Sequence, residues 1–382
     1  MEEMKRVLHV IKSPSFNSDG RLQKWVGYLK SNNIDSEVLI VEDDNSAKNE
    51  SLYGLHIFRR SLKSRKLFPK RSGYLFKIPE YFFLVKSFIK KSNSDVLIFH
   101  DVQQYLNLFY ALAFGVSKSK MIVWDLHELP HKFLLENNLA KKFLRYILNN
   151  IDLVIYTNSE RRDFIISKIK GVNEKKYFIL NNYPETKFID AEKTPIDIPN
   201  IDSKPYFLWL GAGIKGRNFD SFLSSYNQFK DRFNLVVIGK IDNIYSEKIR
   251  LLKSEGKIFN KFVNQGEIIH YIDGAFLSVV LYKSNSANSY YCEPNRLYQL
   301  LSRKVPVIVG NNPTMANLVQ KLQTGLVLND DGGNPVELSE KIDQLIENYD
   351  EVKSNFIGKN ISELFSWEMQ IDQIINHINA QL

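Results

Sequence analysis

Two histidine-carboxylate neighbourhoods and one glycine-rich turn hold the residues of this 382-residue chain whose types and spacing could do chemistry. His127 follows a buried run and stands in Asp125-Leu126-His127-Glu128-Leu129, where Asp125 and Glu128 could orient its ring. An oriented imidazole can move a proton or bind a hydroxyl near neutral pH. His100-Asp101, after a second apolar run, is the rival pair. No serine completes a nucleophilic triad with either pair, and no residues show metal-ligand spacing. Asp330-Asp331 lies in a glycine-rich turn and reads as part of that turn.

The turn Gly211-Ala-Gly213-Ile-Lys-Gly216 follows Tyr206-Phe-Leu-Trp-Leu210 and precedes a helical pattern. Its G-x-G-x-x-G spacing is the dinucleotide fingerprint, which requires an acid about 20 residues further on to hold a ribose. The next strand, Asn234-Leu-Val-Val-Ile238, ends instead in Gly239-Lys240. Lys240, together with Arg217 just after the turn, favours an anion at a helix N-terminus. A second helix is expected after Glu293, with Glu293 as N-cap and Pro294 at its first position. Asn295 and Gln299 then share one face, and Leu297, Leu300 and Leu301 the apolar one.

The elements that must position these groups alternate along the chain. Strands are expected at 6–11, 36–41, 55–59, 95–99, 121–125, 153–156 and 177–180, with helices such as 21–31 and 105–116 between them. Residues 184–205 carry four prolines and no periodicity, so they read as a linker. The alternation restarts with strands at 206–210, 234–238, 276–281, 305–309 and 325–328. The pattern predicts an α/β protein of two doubly wound, Rossmann-like domains with parallel sheets, facing each other across a cleft.

A single cysteine, Cys292, excludes an internal disulfide framework and fits a reducing compartment, so a cytoplasmic location is expected. No run is long and apolar enough to span a bilayer. The net charge of +8 is uneven: Arg59, Arg60, Lys63, Arg65, Lys66, Lys70, Arg71, Lys77, Lys86, Lys90 and Lys91 are opposed only by Glu80. Phe68, Tyr74, Phe76, Tyr81, Phe82 and Phe83 are interleaved with them. That mixture suits an anionic membrane surface, or else a helix whose aromatics face the core. No nucleic-acid module is recognisable, so no nucleic-acid partner is expected.

Pro294-Asn295-Arg296-Leu297-Tyr298-Gln299-Leu300 followed by Val305-Pro306-Val307-Ile308 resembles the P-N-K-x-x-E-Y and P-V-I pattern of the GT-B fold sugar transferases of glycosyltransferase family 4. These enzymes build bacterial surface polysaccharides such as capsule or O-antigen. The turn before Arg217 resembles their donor loop, Asp19-Gly20-Arg21 their D-x-R, Phe99-His100-Asp101 their A-H-D, and Trp124-Asp125-Leu126-His127-Glu128-Leu129 their Y-D-x-H-E-L. Asn181-Asn182-Tyr183-Pro184 and Phe365-Ser366-Trp367-Glu368 resemble the close of the first domain and the start of the last helix.

The resemblance implies an acceptor-side domain at 1–185, a linker at 186–204, a nucleotide-sugar domain at 205–360 and a C-terminal helix at 361–382 that packs back on the first domain. It implies a hexosyltransferase-type enzyme that is metal-independent and retaining. The enzyme would use a UDP- or GDP-sugar as substrate, with no cofactor, and a saccharide or lipid-linked acceptor; the basic aromatic stretch would place it peripherally at the inner face of the plasma membrane. Donor binding would fall to Gly211, Gly213, Gly216, Arg217, Lys240, Glu293, Asn295 and Gln299, and catalysis to His127, with His100 and Asp101 as the alternatives. Gln299 departs from the family pattern, which places a glutamate there. Two other readings stay open: a catalytically degenerate binding subunit and an NAD-dependent enzyme.

Overall fold

The computed structural model describes residues 4, 6–13, 16, 19–42, 49–52, 55–68, 74–114, 119–173, 176–194, 196–199, 201 and 203–382. Lys70 and Arg71 of the basic stretch lie outside them, as do the side chains of Lys66 and Tyr74. The chain divides into two compact units, one of Met1–Asn181 with Glu368–Leu382, the other of Asn182–Trp367.

Among the described residues, the first unit holds an eight-stranded sheet of order β3-β4-β2-β1-β5-β6-β7-β8. Its strands are β1 (Arg6–Ile11), β2 (Asp35–Glu42), β3 (Asn49–Leu52), β4 (Leu55–Ser61), β5 (Val96–His100), β6 (Met121–Leu126), β7 (Leu153–Tyr156) and β8 (Tyr177–Ile179). All neighbours pair in parallel except the edge strand β3, which runs antiparallel to β4 and departs from the all-parallel expectation. The helix Gly20–Ser31 after β1 is capped by Asp19, whose side chain accepts from Leu22 N at 3.0 Å. Leu22, Trp25, Val26 and Leu29 fall at helical spacing and are all buried. Leu22 and Val26 join Ile11, Val38, Ile40, Leu55 and Ile57 in a core on one face of the sheet.

The second unit holds a six-stranded sheet of order β11-β10-β9-β12-β13-β14. These are β9 (Tyr206–Leu210), β10 (Asn234–Ile238), β11 (Ile258–Lys261), β12 (Ala275–Val280), β13 (Val307–Val309) and β14 (Gly325–Val327), all paired in parallel. Strand β9 is buried on both faces, which is why it reads as an unbroken apolar run: Leu208 and Leu210 enter one core, Phe207 and Trp209 the other. The linker is not featureless, since Thr186–Ile189 forms a short helix. Arg303 holds it, donating from Nη1 to the carbonyls of Ile189 and Ala191 while its Nε and Nη2 meet the buried carboxylate of Asp273.

Each sheet changes direction once. In the first β1 stands between β2 and β5, and in the second β9 stands between β10 and β12 in the same way. The crevice at the carboxyl ends of such a strand pair is where doubly wound sheets bind ligands.

Candidate functional site

In the first unit that crevice is filled by a hydrogen-bonded cluster. His100 ends β5 and pairs in register with Asp125 on β6, and His9 on β1 pairs with Ile98. His9 and His100 therefore project from the same face of neighbouring strands, with ring centroids 5.2 Å apart. Arg21 and Trp25 reach the same place from the first helix. Arg21 forks onto Asp125, with Nη2 to Oδ1 at 2.7 Å and Nε to Oδ2 at 3.0 Å, and donates from Nη1 to the carbonyl of Leu180 at 2.8 Å. Oδ2 of Asp125 also accepts from Trp25 Nε1 at 2.9 Å and faces His127 Nε2 at 2.9 Å and His100 Nδ1 at 3.3 Å.

Burial alone would raise the Asp125 carboxyl, but Arg21, His127 and the hydrogen bonds of both histidines outweigh it and hold Asp125 well below the usual carboxylate range. Burial lowers His100 despite Asp125, and it lowers His9 well below the ordinary histidine value, with His100 adding to the effect. His127 is the partly exposed member of the set, 18 % exposed, and its carbonyl accepts from Arg161. Of the two acids expected to orient it, Asp125 does so, whereas Glu128 is exposed and makes no hydrogen bond to the ring. One ligand atom each from His100, Asp125 and His127 lie within 4.8 Å of one another, a spacing that could hold a metal ion. The carboxylate oxygen they share, Asp125 Oδ2, also accepts from Arg21 Nε and Trp25 Nε1.

Asp101 carries backbone strain. Its φ of 68° and ψ of 169° lie in a region that side-chain-bearing residues rarely enter. The conformation is pinned by Asp101 N to Asp125 O, by Trp124 Nε1 to Asp101 O, and by Val102 N to the Asp101 side chain at 2.7 Å.

In the second unit the glycine turn closes over a pair of arginines. Gly211 has a φ of 109°, and a Cβ there would stand 2.6 Å from Arg217 Nη1 and 3.2 Å from Arg296 Nη1. Gly213 is required by space, because a Cβ would meet the Phe219 ring at 2.8 Å. Gly216 meets neither demand: nothing stands within 4 Å of its Cβ position. Arg217 ends a short 3-10 turn, and left-handed Asn218 (φ 51°) separates it from the helix Phe219–Tyr226. Asn218 donates to Asp331, whose carboxylate also accepts from Ser284 N at 2.7 Å, so Asp331 braces the loop, while Asp330 holds their own turn by accepting from Gly332 N and Asn334 N.

Arg296 was not among the expected site residues. Its Nη1 donates to Leu210 O at 2.6 Å and its Nη2 to Leu281 O at 3.1 Å, the last carbonyls of β9 and just beyond β12. The guanidinium lies over the Tyr282 ring, as does that of Arg217. Burial, with the charge of Arg217 adding to it, lowers Arg296 to about 10, which leaves it cationic at neutral pH. The turn thus overlies two fixed positive charges.

The other expected donor residues are placed less uniformly. Lys240 is exposed after β10, its Nζ over Phe262. The helix runs Asn295–Ser302 with Pro294 itself at the N-cap, so Glu293 does not cap it. The Glu293 carboxylate is buried and accepts from Asn182 N at 2.9 Å, while Asn182 donates back to the Glu293 carbonyl at 2.8 Å. Asn295 is exposed, and half-buried Gln299 points its amide at Gln265 Oε1, 3.5 Å away.

Residues 190–362 match the sequence profile of the family described as glycosyl transferases group 1. They include the glycine turn, both arginines and the Asn295 helix. The whole chain shares its fold with glycosyltransferases of the GT-B type. A sucrose-phosphate synthase from Thermosynechococcus elongatus superposes with a TM-score of 0.74 at 13% identity, over 99% of this chain and 100% of that one. A glycosyltransferase from Rickettsia africae gives 0.67 at 15% identity over 99% of both chains, and Anabaena HepE, solved in complex with UDP, gives 0.66 at 12% over 99% and 100%. No curated protein matches the sequence.

Proposed function

We propose that this protein is a glycosyltransferase that moves a sugar from a nucleotide diphosphate, a UDP- or GDP-sugar, to a saccharide or lipid-linked saccharide acceptor in surface polysaccharide synthesis. The observation that carries this reading is the pair Arg217 and Arg296 under the Gly211 turn, at the crevice of the second sheet. Breaking the bond between the anomeric carbon and the diphosphate leaves negative charge on the leaving group, and fixed cations placed before the reaction stabilise it without reorganising. Gly211 and Gly213 let the backbone approach the diphosphate; Gly216 and Lys240 border it. Asn295 and Gln299 would meet the ribose and Glu293 the donor sugar, the last acting from a buried carboxylate already engaged by Asn182. His127, held by Asp125, is assigned to the reacting sugar. The UDP in the HepE complex supports the choice of donor. Retention of anomeric configuration and independence from metal belong to the same proposal.

The acceptor end carries a surface suited to lipid. Leu67, Phe76, Ile78 and Phe83 are exposed on and before the helix Tyr74–Lys91, beside Lys63, Arg65, Lys86, Lys90 and Lys91. The core-facing alternative accounts for Tyr81, Val85 and Ile89, which are buried, and Lys77 is buried with them. No helix among the described residues is long and apolar enough to cross a membrane. Peripheral docking on anionic lipid at a cytoplasmic membrane face is therefore part of the proposal.

Thermal shift with UDP, GDP and NAD tests the donor assignment, because a ligand that binds the native state raises its apparent stability by mass action. UDP or GDP should raise the midpoint and NAD should not; a shift with NAD alone overturns the reading. A screen of nucleotide sugars by donor hydrolysis then names the sugar. Nucleotide binding without hydrolysis or transfer would favour the degenerate binding subunit.

A further inference from the structure

We propose that His9 and His100 are positioning residues that hold Asp125 and His127 in one proton arrangement, with the His127 proton on Nε2 and its Nδ1 left to accept from a sugar hydroxyl. The inference deepens the assignment of His127 to the reacting sugar and rests on it for its catalytic meaning.

The arrangement follows from one charge. Asp125 is fixed as an anion by the fork of Arg21 and by Trp25 Nε1. His100 Nδ1 lies 3.3 Å from Asp125 Oδ2. A lone pair facing a carboxylate at that distance would be repelled, so Nδ1 carries the proton. A neutral His100 then presents a lone pair at Nε2, and His9 Nδ1, 2.9 Å away, must donate to it. His9 is left with an unprotonated Nε2 that is fully buried and has no partner among the described residues. The reverse assignment would bury an unsatisfied N–H at that atom and turn a bare His100 nitrogen toward Asp125. His127 Nε2 lies 2.9 Å from the same oxygen and 3.4 Å from His100 Nδ1; it donates to the oxygen for the same reason as His100, so the two N–H groups converge on one anionic acceptor and not on each other. Asp19 acts on His100 from the first helix turn, and Arg161 holds the His127 carbonyl.

A phenylalanine at position 9 would occupy a similar ring volume without an orphaned nitrogen, so packing alone gives no reason for a histidine there. Its single hydrogen bond does: without a donor on Nε2, His100 is released to the other tautomer and its N–H leaves Asp125. The carboxylate then has one donor fewer, and His127 can exchange tautomers more easily.

The test uses the full-length protein with 15N-labelled histidine and long-range proton-nitrogen correlation, which reports the protonated nitrogen of each ring. In the wild type, His127 and His9 should show protons on Nε2 and Nδ1 respectively, each as a single form from pH 7 to 9. His9→Phe should give a mixed His127 tautomer. His9→Asn, whose amide can replace the Nδ1 donor, should restore the single form. If donor hydrolysis is established, kcat for His9→Phe should fall roughly tenfold with KM within about twofold. A wild-type His127 protonated on Nδ1, or a His9→Phe spectrum identical to the wild type, overturns the relay. Should His9→Phe fail to fold, the wild-type tautomers and His9→Asn still decide it. The spectra stand apart from the donor assignment, which fails only in the nucleotide experiments.

Discussion

Arg296 donates to the carbonyl of Leu210 at 2.6 Å, so the helix that starts at Asn295 is tied to the end of the central strand directly beneath the glycine turn. Gly211→Ala should disturb this arrangement twice, through its positive φ and through a Cβ at 2.6 Å from Arg217 Nη1. We expect a stability loss of about 1–2 kcal/mol and a fall in UDP or GDP affinity of roughly tenfold or more as Arg217 is displaced. Calorimetric titration and thermal unfolding measure the two effects. Unchanged affinity would remove Arg217 from the diphosphate site. Gly216→Ala, at a position with open space, should change neither by much.

Acid should destabilise the first unit in two stages. His9 and His100 are neutral when folded and take a proton when unfolded, so the unfolded state binds more protons below the unfolded value of about 6.5 and stability falls with pH there, by up to about 1.4 kcal/mol per pH unit for each histidine. Asp125, depressed in the native state, contributes stability that is complete above the ordinary carboxylate range and is lost as pH falls below it. His9→Phe should flatten the first stage and leave the second. Urea unfolding from pH 7 to pH 4 reads the slopes. Equal slopes in variant and wild type between pH 6.5 and 5 would show that His9 is not held neutral.

Asp101→Gly should keep or raise the melting temperature, whereas Asp101→Ala should lower it, because glycine relieves a strained conformation that costs about 1–3 kcal/mol at the expense of about 0.5–1 kcal/mol in chain entropy. If the strain serves to place the carboxylate beside His100, both variants should lose transfer activity. Full activity in Asp101→Gly would make Asp101 a structural residue.

Gln299 offers one oxygen and one amide where a carboxylate would offer two acceptors. Gln299→Glu should tighten nucleotide binding about tenfold, since hydrogen bonds to ionised groups are worth about 1.5–3 kcal/mol against about 1 for neutral ones. Gln265, which now receives the Gln299 amide, can turn its own amide toward the new carboxylate. Gln299→Ala should weaken binding. If calorimetry shows neither change, the Asn295 and Gln299 face lies outside the ribose site.

The basic aromatic helix predicts binding to vesicles containing anionic lipid that weakens as salt rises, because screening shortens the reach of Lys86, Lys90 and Lys91. Phe83→Ser should reduce binding at every salt concentration by removing an exposed ring. Failure to float with such vesicles at low salt would end the lipid proposal.

The parts of the fold legible in the sequence were those buried on both sides. Strands such as β1, β7, β9 and β10 show as continuous apolar runs because helices cover both faces of their sheets. Strands β3 and β11 escaped notice because Asn-Glu-Ser-Leu and Ile-Phe-Asn-Lys lie at sheet edges, where one flank needs no apolar partner. The site was legible where a motif held it together, as around His127. It was not where a partner stands far off in sequence: Arg21 and Asp125 are 104 residues apart, and nothing local to either names the other. His9 left one trace, a titratable residue in the otherwise apolar run Val-Leu-His-Val-Ile. Arg296 stood inside a quoted motif, yet its two carbonyl bonds depend on strand ends 86 and 15 residues away.

The division of the chain also sets an order of events during synthesis. The first unit is interrupted: its chain leaves at Asn181 and returns at Glu368, where Asn181 N donates to Gln370 Oε1 at 2.9 Å. Met4 N and Asn379 Oδ1 meet as well, and Ile371, Ile374 and Ile378 are fully buried. A ribosome adding roughly 5 to 20 residues per second therefore takes on the order of 10 to 40 s to make the intervening segment 182–367 before these last pieces exist. Only at the end of that interval does the second unit have all of its own residues, and the first still lacks Glu368–Leu382. The nascent unit holding the histidine cluster must wait with its seats for Ile371, Ile374 and Ile378 uncovered, which makes it the stage at which a chaperone would engage this protein.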